Sequence, residues 1–84
     1  MDNPERAGQT VPLNMSMIRQ GAEFTIGSES QVELGPIAAI SIPAGEIITV
    51  NQIHEHCFSI NMSSGIRAII PNRVVEQIKV QSEQ

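Results

Sequence analysis

The chain predicts an all-β fold, a single small five-stranded barrel with a flexible N-terminal arm. Three observations carry that prediction. Ile and Val dominate the apolar residues, thirteen and six against two Leu and six Ala, and β-branched side chains fit a pleated, half-buried surface. Trp and Tyr are absent and Phe24 and Phe58 are the only aromatic residues, so the core is aliphatic. Short apolar runs alternate with Gly, Pro, Ser and Asn turn signals along the chain. Its 84 residues suffice for one domain, and a domain this small buries a modest fraction of its surface.

Residues 1–14, MDNPERAGQTVPLN, mix Pro, Gly, Asn and charge without apolar periodicity and read as the flexible arm. The barrel is expected over residues 15–80. Its first run, Ala22 to Ile26, follows Gly21 and ends at Gly27-Ser28-Glu29-Ser30. The second, Gln31 to Ile42, crosses Gly35-Pro36, which should bend or bulge it. Pro43-Ala44-Gly45 turns the chain into a third, Glu46 to Ile53. The fourth alternates: Phe58, Ile60 and Met62 share one face, and Cys57, Ser59 and Asn61 the other.

Ser63-Ser64-Gly65 leads into the fifth run, Ile66 to Ile70. Pro71 cannot donate a ladder hydrogen bond and ends it. Val74 to Val80 closes the set as a strand or a single helical turn, and residues 81–84 read as a disordered tail.

The stretch Ala68 to Ile78, AIIPNRVVEQI, resembles the end of a Src-homology-3 domain. There a small residue, two apolar residues and a proline precede a short helical turn and a last strand. The resemblance implies that Pro71 starts the turn, Asn72-Arg73-Val74 form it and Val75 begins the closing strand. Upstream, GEIITVNQIHEHCFSINMSSG is similar to the paired middle strands of bacterial domains of this type. The likeness covers about Gly21 to Val80 and speaks to architecture rather than activity. Family members that bind proline-rich peptides use an aromatic groove. This chain has no Trp, and Val74 stands at the aromatic position of the terminal turn, which argues against proline-peptide recognition.

Two further resemblances bear on function. Plasmid-borne type II dihydrofolate reductases share a loose arm, this barrel and a proline before the closing segment. Their pore is built around a Val-Gln-Ile-Tyr strand, and Arg67, Ala68, Ile69 and Ile70 stand there instead, without the Gln and Tyr that position substrate. Ile37 to Ile53, IAAISIPAGEIITVNQI, resembles the start of β-clip domains of sialic-acid synthase tails and pilus-assembly proteins, again small all-β binding units.

The net charge of −4, with nine acidic against five basic residues, opposes phosphate neutralisation and hence nucleic-acid binding. Arg6, Arg19, Arg67, Arg73 and Lys79 are also dispersed. Cys57 is the sole cysteine, which excludes an internal disulfide and fits a reducing cytoplasm. No leader pattern or membrane-length apolar run is present, so no membrane partner is expected.

His54-Glu55-His56-Cys57 is the one cluster with ligand potential. On a strand His54 and His56 share a side, a spacing a metal can use, while Cys57 faces the other way. The competing reading is a solvated hairpin end. The carboxylates are dispersed, nothing orients a Cys57–histidine pair for nucleophilic chemistry, and no phosphate loop or cofactor motif occurs. The expectation is therefore not an enzyme.

Arg67 and Arg73 flank the proline and are candidate anchors for a partner's carboxylate, the plainer reading for Arg67 being a solvent-facing charge paired with Glu76. The dyads Ile47-Ile48, Ile69-Ile70 and Val74-Val75 are sharper. Adjacent strand residues face opposite sides, so one member of a dyad is left outside the core. Arg67, Ile69 and Arg73 are thus the candidate partner-binding residues. The sequence points to a non-enzymatic protein-interaction module, an accessory subunit or inhibitor that self-associates. The alternative is an oligomeric small-ligand or metal-binding protein with its site at an oligomer seam or near His54 and His56, and a third reading is an oligomeric enzyme like the plasmid-type dihydrofolate reductases.

Overall fold

Eight short strands and two 3-10 turns make up residues 9–82, the span that the computed structural model of the chain describes. Strands β2 (Glu23–Thr25), β5 (Ile47–Ile53), β6 (Cys57–Met62) and β7 (Arg67–Pro71) form an antiparallel sheet in the order β2-β5-β6-β7. Strands β3 (Ser30–Glu33) and β4 (Ala39–Ile42) form a hairpin, and β1 (Thr10–Pro12) pairs with β8 (Lys79–Gln81). The fold is all-β, as the Ile and Val content predicts. Among the described residues the strands are distributed over three small sheets whose ladders do not close, with one isolated bridge, Ile26 to Val80, beyond them. The second run divides at Gly35-Pro36 into the two arms of the β3–β4 hairpin.

Residues 10–14, expected in the flexible arm, are held in the fold. Thr10, Val11 and Pro12 lie opposite Gln81, Val80 and Lys79. Leu13 is fully buried, and its N–H donates to the Ile78 carbonyl at 2.8 Å. Asn14 then caps the first 3-10 turn, Met15–Met17, its Oδ1 accepting from the Ser16 N–H at 3.0 Å. The polar setting of Val11 and Leu13 hides an apolar alternation that the partner strand completes. At the other end Gln81 belongs to β8, and the Ser82 N–H donates to the Gln9 carbonyl at 3.0 Å. Residues 1–8 of the expected arm and 83–84 of the expected tail lie outside the described residues.

Packing follows the strand alternation. Phe58, Ile60, Ile48, Val50 and Ile70 line the inner face of the four-stranded sheet, each at 0–1 % exposure. Leu13, Ile26, Val32, Ile42, Ile78 and Val80 supply the rest of the core. Burying each of the larger aliphatic side chains contributes about 1.5–3 kcal/mol against leaving it in water. Two buried serines serve the backbone. Ser30 Oγ accepts from the Lys79 N–H at 2.9 Å and donates to the Ser28 carbonyl at 3.0 Å, tying the hairpin to β8. Ser59 Oγ accepts from the Gln52 N–H at 3.1 Å, where the β5–β6 register shifts between Val50 and Gln52.

Gly27 sits where two segments meet. Its N–H donates to the Lys79 carbonyl at 2.9 Å, and a Cβ there would press on the Thr10 side chain and lie 3.2 Å from the Gln81 backbone nitrogen.

The chain leaves β7 at Pro71 and enters the second 3-10 turn, Asn72–Gln77. This turn is twice as long as the three residues expected. Val75 lies inside it, and the closing strand begins at Lys79 instead.

Candidate interaction site

The outer face of β5–β6–β7 is built by the same alternation that fills the core. Arg67 stands opposite Asn61, which stands opposite Thr49, which faces Glu23 on β2. A polar row therefore crosses the sheet. Within it the Arg67 Nε–H donates to Asn61 Oδ1 at 3.1 Å. Arg67 does not pair with Glu76, and its two terminal nitrogens have no partner among the described residues. One row along, Ile69 stands opposite Ser59 and Ser59 opposite Gln52. Ile69 is 62 % exposed while its neighbour Ile70 is fully buried, so that dyad divides across the sheet.

Arg67 and Ile69 line one groove together with Asn51, Gln52, His54, Cys57 and Ser59. The strand bulge shapes this floor: Ser59 fills the gap it opens, and so is buried although it shares a face with half-buried Cys57 and Asn61. Of this lining, sequence reasoning singles out Arg67 and Ile69 as partner-binding residues and His54 and Cys57 as a ligand cluster, but not Gln52, nor the Asn61 that Arg67 bonds beside the groove. A polar residue at a non-core position signals only a solvated face until the register brings it beside an arginine.

Arg73 is not part of that groove. It lies on the second 3-10 turn and lines a separate cleft with Val74, Glu33 and the hairpin tip from Gly35 to Ala39. Ile37, at 99 % exposure, stands at that tip. The three expected partner-binding residues therefore occupy two surfaces. The periodicity explains the split, because Arg73 and Glu76, three apart on a helix of three residues per turn, share the turn's exposed side.

His54 and His56 are not on a strand, which corrects the geometry expected of them. β5 ends at Ile53 and β6 begins at Cys57. The His54 N–H donates to the Cys57 carbonyl at 2.8 Å and closes a turn with Glu55 and His56 at its tip. Asn72 clamps this turn: its N–H donates to the His56 carbonyl at 2.9 Å and its Nδ2 to the Glu55 carbonyl at 3.0 Å. His56 Nε2 lies 3.7 Å from a Glu55 carboxylate oxygen, and both side chains are more than four-fifths exposed. Among the described residues no group of three or more His, Cys, Asp or Glu side chains converges as a metal site would require.

The one clear pKa shift among the described residues is at Glu46, between Gly45 and β5. Its carboxylate accepts the Ser64 N–H at 2.8 Å and the Ser63 hydroxyl at 2.9 Å. These bonds, the Ser64 amide foremost, hold its pKa below the ordinary 4.5. Glu46 thus fastens the β6–β7 turn to the start of β5. Among the described residues no helix is long and apolar enough to cross a membrane. Comparison with protein-family models, with curated proteins and with solved structures finds no match for the chain.

Proposed function

We propose that the chain is a non-enzymatic protein-interaction module of Src-homology-3-like architecture, working in the cytoplasm as an accessory subunit or inhibitor. The observation that carries this reading is the exposed Ile69 beside Arg67 in the outer groove of β5–β6–β7. An isoleucine in water contributes nothing to the fold, and the adjacent guanidinium keeps its terminal N–H groups for a partner. An apolar anchor flanked by a bidentate donor suits a partner segment that presents an aliphatic or aromatic side chain next to a carboxylate. The passage from β7 through Pro71 and a 3-10 turn to β8 supports the architectural part of the reading.

The test compares affinity capture by the parent protein, an Arg67→Glu/Ile69→Ala variant and a Glu76→Ala control, each quantified by mass spectrometry. A genuine partner is retained by parent and control and lost, about tenfold or more, by the double variant, as expected when a buried anchor and a charged hydrogen bond are both removed. The double variant must keep the parent's circular dichroism. If every retained protein binds all three baits equally, the groove is not the binding surface and the reading fails.

A further inference from the structure

We propose that β4 is a pairing edge through which two copies of this chain form a closed, two-fold antiparallel dimer. The proposal deepens the interaction reading by naming a second copy as a partner. It does not use the Arg67–Ile69 groove, so the two can fail separately.

The backbone of the β3–β4 hairpin supplies the geometry. The Leu34 N–H donates to the Ala38 carbonyl at 2.8 Å. In an antiparallel ladder hydrogen-bonded pairs alternate with non-bonded ones, so Val32–Ile40 and Ser30–Ile42 are the bonded pairs of this register. Gln31–Ser41 and Glu33–Ala39 are then the non-bonded pairs, and their amides and carbonyls point away from the hairpin. Glu33 confirms the phase, because its N–H points away from β4 and donates to Gln77 Oε1 at 2.8 Å. Ala39 and Ser41 accordingly present their N–H and C=O groups along the outer edge of β4. Among the described residues no strand pairs with that edge.

This edge carries fewer safeguards against pairing than β7. It is short, four residues, and the Glu29 carboxylate accepts from the Ser41 hydroxyl at 2.8 Å, but no charged residue or proline lies within the strand itself. β7, also at the end of a sheet, carries Arg67 and finishes at Pro71, and charge and proline both discourage a new strand. Residues 34–45 carry no charge at all. Pro36 and Pro43 bracket the segment and limit a ladder to the few residues between them.

A second copy fits the edge because the edge is complementary to itself. Set antiparallel about Ile40, Ala39 of each copy faces Ser41 of the other, and each such pair exchanges both of its N–H···O=C bonds. Ile40 then faces Ile40 and extends the half-buried apolar surface of both, and no like charges are brought opposite each other on the joined strands. The assembly stops at two copies. Pairing uses the β4 edge of both, and on the outer edge of β3 the Glu33 N–H is already taken by Gln77 Oε1.

The experiment measures oligomeric state by sedimentation equilibrium and native mass spectrometry across a wide concentration range. The parent is expected to show a monomer–dimer equilibrium. Ala39→Pro removes an outward donor without touching a β3 bond, and Ala39→Lys places an ammonium on the edge. Ala39→Pro deletes one interchain hydrogen bond per copy and should weaken the dimer about tenfold or more, and Ala39→Lys should weaken it through the charge it sets on the edge. If Ala39→Pro fails to fold, Ala39→Lys alone decides. Ile40→Cys in a Cys57→Ser background should form an intermolecular disulfide under mild oxidation, since side chains of a non-bonded antiparallel pair approach closely.

A parent that stays monomeric overturns the proposal. So does a dimer that both Ala39 variants leave intact and Ile40→Cys does not cross-link, or growth beyond two copies. If Arg67→Glu/Ile69→Ala dissolves the dimer and the Ala39 variants do not, copies meet through the groove. The β4 proposal then falls while the interaction reading stands.

Discussion

Two dyads sit five residues apart and meet opposite fates. In Ile69-Ile70 one residue is 62 % exposed and the other fully buried; in Val74-Val75 both are buried, at 8 % and 5 %. The chemistry of the pairs is nearly the same, so the backbone makes the difference. On β7 successive side chains leave opposite faces of the sheet. On the 3-10 turn they are about a third of a revolution apart, and a concave core can take both. Arg73 and Glu76 then absorb the solvent-facing side of the turn. Pro71 is the switch between the two regimes, ending the ladder so that the following residues can wind inward.

The sharpest way to break this contrast is to truncate each member of the strand dyad. Ile70→Ala leaves a cavity behind Phe58, its cross-strand neighbour, and should cost about 2–5 kcal/mol. Ile69→Ala removes an exposed side chain and should stay within about 0.5 kcal/mol of the parent. Urea denaturation of the two variants gives the comparison directly. Equal losses would mean that β7 does not separate an inside from an outside.

The turn dyad should respond symmetrically and less strongly. Val74→Ala and Val75→Ala each delete two buried methyl groups, at about 1–3 kcal/mol apiece. A strand at these positions would instead leave one of the two changes nearly silent. Denaturation midpoints for both variants, set beside those for Ile69 and Ile70, separate the two backbones without a new structure.

The same contrast explains what could be read from the sequence. Where a run is a strand, alternation alone assigns the faces: Phe58, Ile60 and Met62 are inside, and Arg67 and Ile69 outside, as their spacing requires. The reading fails where a residue's role is set by a distant backbone. Thr10 to Pro12 look like a loose arm because the three-residue strand has meaning only beside β8. Ser30 and Ser59 look like solvent-facing polar residues, yet they are buried because the Lys79 and Gln52 N–H groups need acceptors. His54 and His56 share a face only if the strand runs through them, and the turn that Asn72 clamps prevents that. In the groove the two side chains on β7 were legible, whereas the Asn61 contact and the bulge beneath depend on register. Arg73 was legible as an exposed cation but not as the occupant of a different surface.

The third dyad, Ile47-Ile48, gives the mildest test. It divides as a strand dyad should, 42 % exposed against fully buried, and Glu46 immediately precedes it. The carboxylate holds the Ser63-Ser64 turn against the entry of β5, while the Ile47 N–H donates to Ser63 Oγ at 3.3 Å. Because these bonds lower the folded-state pKa of Glu46 below 4.5, the ionised form binds more tightly in the native protein than in the unfolded chain. The contribution is fully present above 4.5 and is lost as pH falls through the lower folded-state value. Glu46→Gln removes that linkage. The parent should therefore lose more thermal stability than the variant on going from neutral pH to below the folded-state value, with the two curves converging at the acid end. Melting temperatures collected across that range decide the matter. Parallel curves would show that the strand pairs of Ile47 and Ile48, with Thr25 and Ser63 on one side and Phe24 and Met62 on the other, hold the dyad in register without help from the carboxylate.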